Sequence, residues 1–188
     1  MSAVANLPHR KFSVNEYHNF IEQGVFRPGE RIELWEGEFI EMSPIGMRHA
    51  ACVNFLVEAL RDLLGKSVVI SPQNPIVLDD LSEPQPDICM LERREDFYRR
   101  SDATAKNVLL AMEVADTTVK YDRDKKLPLY AEAEIPEVWI VNLPNEIIEV
   151  HTQPSVGLYQ FVKIYKRGEI VKSEALPELN LPVNKILG

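Results

Sequence analysis

The chain reads as an α/β protein built on a central mixed sheet flanked by helices, and three observations predict this. Residues 47–64 carry Val53, Leu56, Val57, Leu60, Leu63 and Leu64 at helical spacing. The run NVLLAMEVA (107–115) is apolar enough for a strand covered on both faces. Three further segments, EVWIVNL, EIIEVHT and YQFVKIY, follow one another as an antiparallel meander. With 188 residues, 45% of them hydrophobic, one domain spanning 1–188 is expected to bury a sizeable core.

Element by element, Ser13 and Glu16 are spaced as a capping box, so an amphipathic helix is expected at about 13–23, with Gly24 ending it. RIELWEGEFIEM alternates around Glu36-Gly37 and predicts a hairpin, with Glu33 and Trp35 on the face opposite Ile32 and Leu34. Gly65 closes the long helix at 47–64. SVVIS and PIVL are short apolar runs, and the Pro-rich acidic loop LDDLSEPQP then delivers the chain into ICML. The segment 92–106 is expected to hold a short helix and a loop. Asp122–Ala133 is expected to be helical, with Pro128 confined to the first turn or kinking it. The tail LPELNLPVNKILG is expected to form a last short strand and a turn.

Composition excludes several functions. A net charge of −8 argues against a broad nucleic-acid-binding surface, because phosphate neutralisation by Lys and Arg supplies most non-specific affinity. The cations Arg93, Arg94, Arg99, Arg100 and Lys106 are interleaved with Glu92, Glu95, Asp96 and Asp102, as on a solvated helix face. No apolar stretch approaches the roughly 20 residues of a membrane span and the N-terminus lacks a secretory core, so a cytoplasmic location is expected. Cys52 and Cys89 sit among apolar neighbours and are expected to be buried thiols.

Two carboxylates stand out. Asp87 follows Pro86 at the start of one apolar run and Glu113 lies inside another, where burying a charge is costly unless a proton, a partner or a metal compensates. From the residues alone, Asp87 equally suits a turn and Glu113 a structural ion pair with Lys126. Glu33 suits an exposed hairpin position as well as a supporting ligand. His49 suits capping or packing near the long helix's start as well as ligation or acid chemistry. Gln73 and Asn74 fit a polar turn before Pro75 or a substrate contact, while Trp139, Tyr130 and Tyr17 read as core aromatics.

The strings RIELWEGEFIEMSP with His49 after it, SPQNPIVLDDLSEPQPDICML, and MEVADTTVKYDRDKKLPLYAEAEIPEVWIVN carry a resemblance spanning nearly the whole chain. They resemble the restriction-endonuclease family of the Uma-two type, within the PD-(D/E)XK nuclease superfamily. The resemblance implies a restriction-endonuclease-like core and a Mg²⁺- or Mn²⁺-dependent endonuclease acting on DNA phosphodiesters. It implies Asp87 and Glu113 as metal ligands, with the Val114 backbone carbonyl and Glu33 as additional ones. Its usual lysine slot, two residues after Glu113, holds Ala115 here; the implied replacement is Lys126, projecting from the following helix, with Lys125 as second choice. His49, Gln73 and Lys125 are the expected substrate contacts. Glu134 stands where such sequences often end the helix with Gly. A homodimer suits cutting of both strands. The displaced lysine keeps a second expectation open, a catalytically weak nuclease fold serving as a binding or regulatory module.

Overall fold

The computed structural model describes residues 9–188. The expected mixed sheet is its centre: six strands in the order β3-β4-β5-β6-β7-β8, comprising β3 Val68–Pro72, β4 Ile88–Glu92, β5 Val108–Ala115, β6 Glu137–Asn142, β7 Ile147–Ser155 and β8 Leu158–Lys166. Only β5 and β6 run parallel, with Glu113 beside Ile140 and Ala115 beside Asn142. The connection between them carries the helical segment that reaches into the site. NVLLAMEVA is buried along β5 because both sheet faces are covered, as its unbroken apolar run requires.

On one face, Leu110, Met112 and Val114 pack under helix α2 (Met47–Leu64), which contributes Cys52, Val53, Leu56, Leu60 and Leu64. On the other, Cys89, Ala111 and Val138 pack with Tyr130 and Ile135. Both cysteines are free and buried, as expected. The N-terminal helix α1 (Val14–Glu22) starts at Ser13 with the full capping box. The hairpin β1 (Ile32–Trp35) and β2 (Glu38–Glu41) turns at Glu36-Gly37. Gly37 is required there: its φ is +80°, and a Cβ would lie 2.5 Å from Lys11 Cβ.

Three segments differ from expectation. Residues 92–106 form no α-helix; successive turns lead to one 3₁₀ turn, Ala105–Asn107. Phe97 and Tyr98 both take positive φ, which ends any helix, and the charges pair locally, Arg94 with Asp96 at 2.7 Å. The helix expected from Asp122 begins earlier, as α3 (Val119–Tyr121), runs through a π-helical turn (Asp122–Lys126) and continues as α4 (Leu127–Glu132). The widened turn sits just ahead of Pro128, which has no N–H to give, and the preceding Leu127 N–H bonds back to the Asp122 carbonyl. The tail forms β10 (Asn180–Pro182) against β9 (Ile170–Lys172), and ends in a short helix, α5 (Val183–Leu187), instead of a turn. Val183 and Ile186 are buried and belong to the same core as α2, which favours the extra helical turn. No helix among the described residues is long and apolar enough to cross a membrane.

Candidate metal centre

Four carboxyl groups and one ammonium meet at the C-terminal end of β5. Asp87 is the residue before β4, one step beyond the Ile88–Met112 pair, so antiparallel register sets it across from Glu113. Its Oδ2 accepts the Val114 N–H at 2.9 Å and lies 2.9 Å from His49 Nε2, in the first turn of α2. Oδ1 has no partner among the described residues. Burial would raise the Asp87 pKa, but the His49 and Val114 hydrogen bonds and the Lys126 charge outweigh it and hold this carboxyl below its usual range.

Glu113 is 3% exposed and points to the opposite side of β5 from Val114. Tyr130 Oη donates to its Oε1 at 2.6 Å, and Lys126 Nζ lies 3.1 Å from each of its oxygens. Burial pushes Glu113 well above the ordinary carboxylate pKa; Lys126 opposes this, while Asp87, Asp122 and Glu33 add to it. Lys126 is itself 2% exposed, 3.5 Å from Glu33 Oε1. Burial alone would lower its pKa, yet the surrounding carboxyl groups, Glu113 foremost, raise it above the ordinary lysine value. Lys126 is therefore a fixed cation, not a base.

Glu33 is not on an exposed hairpin face: it is 1% exposed, its Oε1 accepts the Gln85 N–H at 2.8 Å, and its Oε2 is buried without a partner among the described residues. The fourth carboxyl group, Asp122, was not singled out from the sequence. It accepts Thr118 Oγ1 at 2.7 Å, and burial raises its pKa despite Lys126. Asp122, Lys126 and Tyr130 recur every four residues, a spacing that puts them on one helical face and was the available signal. Tyr130 is a core aromatic as expected, but its hydroxyl serves the site.

Asp87, Glu113, Asp122, Lys126, His49 and the backbone at Val114 line one cavity of about 150 Å³. Lys125 is exposed and lies outside it; Gln73 lines the neighbouring cavity, and its N–H bonds the Asp87 carbonyl at 3.1 Å. Among the described residues, no three His, Cys, Asp or Glu side chains draw together closely enough to enclose an ion by themselves. The donor set nonetheless fits a hard divalent cation that keeps part of its water shell, as Mg²⁺ does with one or two carboxylates. Asp87 Oδ1 is uncommitted, four buried carboxyl groups surround a single buried ammonium with Asp87, Glu113 and Asp122 lining the cavity, and the cavity exceeds the roughly 30 Å³ share of one water several-fold.

Comparison with known proteins agrees with the architecture. A crystal structure from Anabaena variabilis, described as a "putative nuclease belonging to DUF820", superposes with a TM-score of 0.71, at 13% identity, covering 94% of this chain and 97% of that one. At such identity the likeness speaks for the fold. No curated protein matches the chain. The sequence model of the family named Uma2, described as "Putative restriction endonuclease", matches residues 14–184. The chain belongs to that family.

Proposed function

We propose that this protein is a metal-dependent endonuclease that hydrolyses DNA phosphodiester bonds. The observation that carries the reading is the gathering of four buried carboxyl groups, Glu33, Asp87, Glu113 and Asp122, around the single buried ammonium of Lys126 beside one small cavity, an imbalance that a divalent ion would relieve. Asp87 through Oδ1, Glu113 and the Val114 carbonyl are the groups to hold Mg²⁺ or Mn²⁺. Bound there, the ion supplies a Lewis acid for the phosphoryl group and lowers the pKa of its water.

The chain's own residues do the positioning. His49 and the Val114 N–H fix Asp87 Oδ2, which leaves Oδ1 for a metal. Lys126, permanently protonated, offsets the charge of Glu113 and is placed to donate a hydrogen bond to an attacking water. Tyr130 prevents Glu113 from rotating away. The lysine absent at position 115 is thereby replaced from the following helix, four residues after Asp122.

The rival reading, a nuclease fold retained for binding or regulation, draws support from how closely Lys126 engages both Glu113 oxygens, which competes with a metal. Incubation of supercoiled plasmid with purified protein, Mg²⁺ or Mn²⁺ separates the two. Nicking by the wild type that is lost in Asp87→Ala and Lys126→Ala supports the nuclease. Nicking that persists unchanged in Asp87→Ala would sink this assignment.

A further inference from the structure

The acidic cavity has a larger neighbour. Arg31 and Gln85 line both, forming a neck between the metal centre and a chamber of about 600 Å³ beneath α1. That volume lies within the ~300–1,000 Å³ range of sites that enclose a small ligand, and is far too small for a duplex.

Most of the chamber's ionisable side chains already have partners. His18 Nε2 lies 2.6 Å from Glu83 Oε2 and Arg27 lies 3.7 Å from Glu30, while Asp102 is exposed. Arg31 is the exception: its Nη2 donates to Gln85 Oε1 at 3.2 Å, and it makes no salt bridge with any carboxylate among the described residues. A half-buried guanidinium at the mouth of an acidic site, without a carboxylate of its own, is suited to a phosphate.

Gln73 is the second observation. It holds φ at +50°, a left-handed conformation unfavourable for a non-glycine residue, and its backbone is tied to Asp87 by the 3.1 Å hydrogen bond. Its side-chain amide has no partner among the described residues and lines the chamber. Strain that fixes a polar side chain beside a metal ligand fits recognition.

We propose that this chamber receives an unpaired nucleotide of a single DNA strand. Arg31 grips the phosphate next to the one attacked, and the amides of Gln73 and Gln85 face the base. The inference rests on the nuclease reading of the adjoining centre and adds a substrate class to it: single strands, overhangs or flaps. A chain of net charge −8 lacks the rows of cations that hold a duplex, whereas one phosphate grip demands few.

Fluorescence anisotropy in EDTA, where no cleavage occurs, tests this with a labelled single-stranded oligonucleotide and the duplex of the same sequence across a salt series. The single strand should bind about tenfold tighter. Arg31→Ala should weaken single-strand binding about five- to tenfold and reduce the salt slope by about 0.7, whereas Arg31→Lys should retain the slope. Gln73→Ala should weaken binding without altering the slope. Equal or tighter duplex binding, an unchanged slope in Arg31→Ala, or no binding of either form overturns the proposal. Because the assay contains no metal, these outcomes are independent of nicking: duplex nicking with Arg31→Ala binding unaltered removes the chamber and leaves the nuclease, and the converse result does the opposite.

Discussion

Two glutamates on adjacent strands, Glu113 on β5 and Glu137 on β6, are both buried, yet their surroundings are opposite. Glu137 is 0% exposed and surrounded by donors: Trp139 Nε1, Ser173 Oγ and the N–H groups of Glu174 and Ala175. It ties β6 to the turn before β10 and lines no cavity in common with Asp87. Glu113 instead faces three other carboxyl groups and one lysine, beside open space. Burial of a charge is thus uninformative by itself. What distinguishes a staple from a site is whether hydrogen-bond donors already balance the charge, or whether like charges leave it unbalanced.

The largest effect expected from breaking this contrast is at Lys126. Lys126→Met leaves Glu113, Glu33 and Asp122 without their shared cation and should cost about 3–5 kcal/mol in urea unfolding at neutral pH. The loss should shrink on acidification. The folded state holds the Glu113 and Asp122 pKa values above their unfolded ones. Their contribution to stability is therefore full below the ordinary carboxylate range and is lost as pH rises through the raised values. Wild-type protein in EDTA should show the same trend more weakly. Asp87 and Glu149 work oppositely: both are lowered, Glu149 to about 2, because the Arg123 and Asn142 hydrogen bonds and the nearby His151 outweigh its burial. Their contribution is lost only as pH falls below the ordinary range, so the two windows do not overlap.

Next comes the direct exchange of the two glutamates for glutamine. Glu137→Gln replaces an oxygen that accepts one or more N–H or O–H groups with an amide NH₂, leaving buried donors unpaired, and should cost about 2–4 kcal/mol. Glu113→Gln keeps the side chain's shape and its Tyr130 contact while removing one of several like charges around Lys126, and should cost about 1 kcal/mol or less in EDTA, measured by the same unfolding curves. Equal losses would erase the distinction. The smallest effect lies away from both: Glu134, at φ +58° just past α4, should gain about 0.5–1 kcal/mol on replacement by Gly, seen as a higher urea midpoint.

That last position was visible in the sequence, as was most of the architecture. Capping at Ser13, the Gly37 turn, the stripe on α2 and the apolar β5 each depend on local pattern, and local pattern survives into the fold. The helical segment after β5 starts at Val119, ahead of the expected Asp122, because the π turn before Pro128 has no periodic signature of its own. Asp87, Glu113 and Lys126 could be named from family strings, and the structure brings them together with His49. Asp122 escaped because, in DRDKK, a carboxylate among alternating charges looks solvated; only the packing of that turn against β5 buries it. The depth of Glu33 likewise follows from the hairpin's docking against Glu83 and Gln85, which no local pattern encodes.

The most direct test of the central claim is calorimetric titration of Mn²⁺ into metal-free protein in two buffers of different ionisation enthalpy. The wild type should bind one ion, more tightly as pH rises, because ligation needs ionised carboxylates and burial raises the Glu113 and Asp122 pKa values. Binding should vanish in Asp87→Asn and Glu113→Gln, and persist in any Glu137→Gln protein that remains folded. Undiminished binding in Asp87→Asn, or none in the wild type at millimolar Mn²⁺, would contradict the account.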